Sequence, residues 1–162
     1  SLPEALRTPE GAKKFLADIA EPMRKIKEAG LYLAYHNHAF EFDIKVDGKM
    51  LYDVLIEECT DLHFIMDTYW VAYAGYDPAL YIEKIGGARM KNIHYKDLSE
   101  KDRSICACGD GTLDFAAITD ACVKAGVPNA LVEQDNAPDF PDAFEQLARS
   151  YRYLLPIIQK TR

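Results

Sequence analysis

The chain has 162 residues, 49% of them hydrophobic, and it carries a formal net charge of −7. These proportions are those of a globular protein with a buried core, and the length favours a single domain. The acidic balance argues against a protein that binds nucleic acid or an anionic membrane surface, because both partners attract a basic face. No apolar run approaches the roughly 20 residues that a membrane-spanning helix needs.

The first part of the chain predicts a helix followed by a strand. Thr8 suits the N-cap and Pro9 the first helical position, and apolar residues then recur at helical spacing until Gly30. Residues 31–36 form a short apolar run that predicts a strand. Apolar and charged residues alternate over 40–46, which predicts an extended excursion, and Asp47-Gly48 predicts a turn.

The rest of the chain alternates between helix and strand signals. We predict further strands at 63–67, 90–95 and 130–133, and helices at 50–59, 77–86, 114–126 and 141–159. A polar loop with glycines covers 96–112. This order predicts an α/β fold with a four-stranded parallel sheet and right-handed crossovers. A closed (β/α)₈ barrel needs roughly 250 residues, so a single domain over 1–162 is either a small open sheet or half a barrel. The leading helix favours the half-barrel, because it resembles the end of a unit whose strand is missing.

The cysteines predict free thiols rather than a disulfide framework or a zinc knuckle. They are Cys59, Cys106, Cys108 and Cys122, and the one close pair lacks the spacing of common zinc sites. Free thiols are typical of a reducing compartment, so we expect a cytoplasmic protein.

Each predicted strand ends in ionisable residues. The four ends read Tyr-His36-Asn-His38, Met-Asp67-Thr, His94-Tyr-Lys-Asp and Val-Glu133-Gln-Asp. In a parallel α/β barrel these ends open onto one face, where active sites lie. Imidazoles and carboxylates together suit a catalytic divalent metal ion. A single polar residue at a strand end is usually a helix cap or a loop contact, and it is the repetition over four strands that favours a site. His63 begins its strand, so we expect it at the opposite end in a structural role.

Several motifs resemble those of the sugar phosphate isomerase/epimerase superfamily, the xylose isomerase-like barrels. They are Tyr-His-Asn-His-Ala-Phe-Glu-Phe at 35–42, Asp-Thr-Tyr-Trp at 67–70 with the later Gly75 and Asp77-Pro78, His-Tyr-Lys-Asp at 94–97, Gly-Asp-Gly-Thr-Leu-Asp-Phe at 109–115 and Val-Glu-Gln-Asp at 132–135. The motifs stand in the order of the superfamily and cover nearly the whole chain. The resemblance implies the C-terminal half of such a barrel, with strands five to eight.

The resemblance also implies one divalent ion, Mn, Mg, Co or Zn, on these strand ends. Asp67, His94 and Glu133 match three of the superfamily's ligands. The fourth ligand is usually a glutamate, and here the position falls on His36, with His38 and Glu41 as alternatives.

The implied activity is that of a sugar or sugar phosphate isomerase or epimerase. Proton transfer beside a metal-polarised carbonyl would use Glu133 as the base and a histidine, His38, as its partner. The predicted substrate contacts are Lys96, Arg103, Trp70 and Glu41. Lys96 and Arg103 are equally consistent with solvated surface residues, and Trp70 with wall packing. Alternative functions are a keto-sugar or inosose dehydratase or lyase on the same scaffold, and a noncatalytic folded fragment. Because a half-barrel exposes two strand edges, we also expect a homodimer that covers them.

Overall fold

Four parallel strands form the central sheet in the computed structural model, which describes residues 1–161. In chain order they are β1 (Ala34–His36), β2 (His63–Asp67), β3 (Met90–Tyr95) and β4 (Ala130–Val132). Each strand pairs in parallel with the next along the chain. The predicted α/β fold with a four-stranded parallel sheet is therefore confirmed.

Helices precede and connect the strands. They are α1 (Pro9–Glu28), α2 (Phe40–Asp43), α3 (Leu51–Glu58), α4 (Thr68–Tyr73), α5 (Pro78–Ile85), α6 (Phe115–Ala125) and α7 (Ala143–Lys160). The predicted caps are present: the Thr8 side chain accepts a hydrogen bond from Gly11 N, and Asp114 accepts from Ala116 N and Ala117 N. Two short 3₁₀ turns lie at Glu4–Leu6 and Ala137–Asp139.

The hydrophobic core lies between the sheet and its helices. Along β2 and β3 the side chains alternate in burial: Phe64 and Met66 have no exposed surface, and Ile93 has none either. These residues belong to one apolar cluster with residues of α3, α5 and α6. Ile65 and His94, which alternate with them, are only partly buried. The second face of the sheet therefore stays partly open, as expected of half a barrel.

The segment at 40–46 differs from its predicted extended form. Phe40–Asp43 is the single helical turn α2, and only Lys45–Val46 is extended, paired antiparallel with Lys49–Met50. The physical reason is the buried Glu41, whose carboxylate accepts hydrogen bonds from the Tyr35 hydroxyl and His38 N and so folds this segment back. The predicted turn is present, with positive φ at Asp47 and Gly48.

Two further elements were not predicted. Helix α4 follows β2 directly, because Asp67 accepts a hydrogen bond from Trp70 N and acts as its N-cap. Within the loop at 96–112, Asp97–Leu98 and Ile105–Cys106 pair as a short antiparallel ladder. Both elements lie next to the carboxyl ends of the strands.

The outer strand β4 carries apolar surface that no described residue covers. Strands β1 and β4 are the sheet edges, and Leu131 and Val132 on β4 are 52% and 36% exposed. Beside them, Phe144, Leu147 and Tyr151 of α7 lie at helical spacing, and Phe144 is 84% exposed. We call these five residues the β4 edge.

No helix within residues 1–161 is both long enough and apolar enough to cross a membrane. All four cysteines are free, as the sequence predicted.

The loop at 96–112 is held by one buried carboxylate. Asp97 has no exposed surface and accepts hydrogen bonds from the backbone N–H groups of Leu98, Gly109, Gly111 and Leu113. A Cβ at Gly111 would lie 2.4 Å from Asp97 Oδ1, which explains the need for glycine there. The Gly-Asp-Gly motif and the Asp of His-Tyr-Lys-Asp therefore form one structural unit.

We predict that Asp97→Asn lowers the free energy of unfolding by about 3 kcal/mol, because an amide cannot accept all of these hydrogen bonds. Chemical denaturation monitored by circular dichroism measures the change. Glu100→Gln, in an exposed position of the same loop, is the matched control and should change stability by less than about 1 kcal/mol. Equal losses in the two variants would contradict the anchoring role of Asp97.

Candidate metal centre

Four side chains meet at the carboxyl ends of the four strands. They are His36, Asp67, His94 and Glu133, and one ligand atom from each lies within 4.8 Å of all the others. His36 Nε2 lies 3.5 Å from Asp67 Oδ2, and His94 Nδ1 lies 2.8 Å from Glu133 Oε2. Each strand thus contributes one group to a single point, as the parallel order of the strands predicts.

The backbone fixes where each group lies. His36 is the last residue of β1, Asp67 the last of β2, and Glu133 follows β4 directly. Asp67 and His94 stand opposite each other in the register of β2 and β3. Glu133 N donates a hydrogen bond to Tyr95 O, which continues the pairing of β3 and β4 by one residue and fixes the backbone at Glu133.

A buried lysine lies against the same carboxylates. Lys96 Nζ is 2.8 Å from Asp67 Oδ2, 2.7 Å from Glu133 Oε2 and 3.1 Å from Asp135 Oδ2, and the residue is only 1% exposed. Its place corrects the reading of Lys96 as a solvated surface residue. The spacing in the sequence could have indicated these contacts. Lys96 lies two residues after His94 and Asp135 two residues after Glu133, and residues two apart in an extended chain lie on the same side. Asp135 was not among the predicted site residues.

Charges at the site shift two pKa values. Burial by itself lowers the pKa of Lys96, but the attraction of Asp67 and Glu133 outweighs it and raises the pKa well above its ordinary value. Burial raises the pKa of Glu133, but the Lys96 ammonium and His94 outweigh this effect and leave the pKa below its usual value. Glu133 is therefore a carboxylate at neutral pH.

The remaining histidines have different surroundings. His38 lies beside the cluster, with its ring centroid 5.1 Å from that of His36, 5.3 Å from Trp70 and 5.6 Å from Phe40. Burial, and then the neighbouring His36, lower the pKa of His38 to about 4. His63 begins β2, at the opposite end from Asp67, and contacts Tyr32 there.

Two predicted substrate residues are held by other groups. Glu41 is fully buried, and its two oxygens accept hydrogen bonds from the Tyr35 hydroxyl and His38 N. The Arg103 guanidinium donates to Tyr73 O and lies over the Tyr73 ring. Arg103 has a positive φ of 60°, and its own carbonyl accepts from the Tyr69 hydroxyl, so it connects the loop at 96–112 to α4. Neither belongs to the four-residue cluster.

The cluster fits a divalent metal ion in its donor atoms and in one feature of its hydrogen bonding. Two imidazole nitrogens and two carboxylates form a donor set that transition-metal dications prefer. Asp67 Oδ2 is buried and accepts no hydrogen bond from the described residues, because the Lys96 ammonium contacts it as an ion pair outside hydrogen-bond geometry. A carboxylate oxygen has two lone pairs, so a metal ion would share this atom with the Lys96 ammonium.

Comparisons with known proteins agree with this architecture. No model of a known protein family matches the sequence, and no curated protein sequence matches it either. A sugar phosphate isomerase/epimerase from Parabacteroides distasonis matches in structure with a TM-score of 0.72 and 26% identity, over 93% of this chain and 56% of that one. The probable 3-DHS dehydratase AsbF from Bacillus anthracis matches with a TM-score of 0.64 and 12% identity, over 91% and 56% of the two chains.

A third solved structure, the IOLI protein with a bound zinc atom, matches with a TM-score of 0.63 and 12% identity, over 95% of this chain and 57% of that one. The chain thus spans about half the length of the structures it matches. Its structural neighbours are sugar phosphate isomerase/epimerase proteins with xylose isomerase-like barrels, so the resemblance found in the motifs is confirmed.

Proposed function

We propose that this chain is the metal-binding half of a sugar isomerase or epimerase, with His36, Asp67, His94 and Glu133 as the ligands of one divalent ion. The observation that carries the proposal is the meeting of four ligand groups, one from each strand, within 4.8 Å. Support comes from neighbours named as sugar phosphate isomerase/epimerases and from the zinc atom in the IOLI protein. Two imidazoles in the ligand set favour Zn, Co or Mn over Mg.

The bound ion would polarise a carbonyl or hydroxyl oxygen of the sugar. Glu133 is our candidate base, because it is ionised and its side chain is 37% exposed. It would remove the proton from the carbon beside the carbonyl. His38 is the candidate partner in proton transfer, because it lies next to the ligand His36 without belonging to the cluster. Its pKa is lowered to about 4, so it is neutral at neutral pH and would act as a proton acceptor, while the protonated Glu133 would return its proton.

Trp70 is our candidate for contact with the sugar. Its ring lies 5.3 Å from the His38 ring and is partly exposed beside the cluster, so it offers an apolar surface to the C–H face of a sugar. Glu41 and Arg103 hold their loops, and we now propose that they support the site without touching substrate.

A keto-sugar dehydratase is the second candidate function. The observation that favours it is the histidine at the end of β1, where the superfamily's epimerases carry a glutamate, together with the neighbour named as a dehydratase. Glu133, once it has taken up the proton beside the carbonyl, would give that proton to the leaving hydroxyl group, which departs as water. The product distinguishes the two reactions, since only the dehydratase releases water.

We predict that the chain loaded with Mn²⁺ or Zn²⁺ exchanges the proton beside the carbonyl of a ketose with solvent deuterium, as followed by NMR. Glu133→Gln should slow the exchange at least about 100-fold because it removes the base. Glu58→Gln, an exposed glutamate at the end of α3, is the matched control and should not change the rate.

Metal content is measured in the same samples, so loss of the ion is separated from loss of the base. Bound metal with neither exchange nor water release for any ketose would contradict both enzyme readings and favour the noncatalytic fragment. Loss of water without an isomer would favour the dehydratase.

We also propose that the chain associates as a homodimer through the β4 edge. The edge combines an unpaired strand with exposed apolar residues of α7, which is the type of surface that associates in water. Stable protein–protein interfaces bury on the order of 1,600 Å² in total. Two-fold dimers are the commonest closed assemblies, so we expect two copies to pair through this edge about a two-fold axis.

We predict that the chain elutes as a dimer in size-exclusion chromatography with light scattering and that Leu131→Asp converts it to a monomer, because a buried charge opposes association. The matched control is Leu80→Asp, which alters a residue of α5 that is 62% exposed and outside the β4 edge. A monomer of 18.3 kDa for the unaltered chain would contradict the homodimer.

A further inference from the structure

Lys96 takes part in the candidate metal centre as a cation. Its ammonium lies 2.8 Å from Asp67 Oδ2 and 2.7 Å from Glu133 Oε2, and both of these residues are candidate metal ligands. The Lys96 side chain is only 2% exposed, so water does not screen these contacts well. The oxygens that a divalent ion would bind already have a positively charged partner.

A third carboxylate, that of Asp135, also contacts the ammonium. Asp135 Oδ2 is 3.1 Å from Lys96 Nζ and accepts a hydrogen bond from it. Asp135 is 54% exposed in its side chain and is not one of the four clustered residues. Lys96 therefore has a third anionic partner, which is not one of the candidate ligands.

We propose that Lys96 is the resident cation of this centre, which stabilises the metal-free ligand set and competes with a divalent ion for Asp67 and Glu133, and that Asp135 is a positioning residue that draws the ammonium toward itself. This inference rests on the proposed metal site. Without a metal ion, the ammonium offsets the cost of burying Asp67, whose side chain has no exposed surface. With a metal ion, two cations share the same oxygens and repel each other.

Lys96→Met provides the main test, because methionine keeps an unbranched side chain and removes the charge. We expect metal-free Lys96→Met to unfold several degrees below the unaltered chain in a thermal scan. We expect it to bind Zn²⁺ or Mn²⁺ tighter, on the order of tenfold, in isothermal titration calorimetry. Lys91→Met, at an exposed lysine on the same strand, is the matched control and should change neither quantity. Equal or weaker metal binding by Lys96→Met would overturn the competition.

Asp135→Asn provides a second test in a residue whose exposure makes it tolerant of substitution. In a chain that keeps Lys96, Asp135→Asn should weaken metal binding several-fold, since the ammonium then has only the candidate ligands as partners. The same substitution in the Lys96→Met background should have little effect if Asp135 acts through Lys96. An equal loss in both backgrounds would show that Asp135 acts on the metal directly and would overturn its positioning role.

The outcomes separate this inference from the proposed function. If neither the unaltered chain nor Lys96→Met binds either metal, the proposed metal site fails and the inference fails with it. If the unaltered chain binds metal and Lys96→Met binds it no tighter, the metal site stands and the inference alone fails. Binding by Lys96→Met alone would support the inference in its strongest form.

Discussion

The burial of Asp67 is the constraint on which the rest of the site depends. A carboxylate with no exposed surface costs several kcal/mol unless positive charge and hydrogen-bond donors surround it. The Asp67 carboxylate meets this requirement from two sides, through Trp70 N at the start of α4 and through the Lys96 ammonium. Its position at the end of β2, opposite His94 on β3, then brings the other ligand groups to the same point. The contacts of the buried Asp67 carboxylate therefore connect the end of β2, the start of α4 and the candidate metal centre.

A second buried carboxylate, Asp97, organises the loop that follows β3. It binds four backbone N–H groups of its own loop, so the loop folds onto itself beside the carboxyl ends of the strands. The core between sheet and helices carries the stability of the fold, while the other face of the sheet keeps its polar groups accessible. In a complete barrel that face would be enclosed by further strands. Here the described half already contains every group of the proposed ligand set.

The sequence predicted the sheet and the strand-end groups because both depend on local patterns. Short apolar runs gave the strands, and the parallel order brought His36, Asp67, His94 and Glu133 to one edge. The turn α2 was missed because the long-range hydrogen bond from the Tyr35 hydroxyl to Glu41 overrides the alternation of apolar residues at 40–46. The burial of Lys96 was missed because lysine is rarely buried without partners, and its partners come from β2 and β4. Alternation did place Lys96 on the side of His94, but only the fold shows that Asp135 lies within reach.

The central claim is that one divalent ion binds where the four strands end. Diffraction from crystals of the chain soaked in zinc, collected at the zinc absorption edge, tests it most directly. The account predicts one strong anomalous peak per chain, with His36, Asp67, His94 and Glu133 at zinc–ligand distances of about 2.0–2.2 Å. A peak at His63 or at the cysteines in place of this cluster, or no peak at the cluster at saturating zinc, would contradict it.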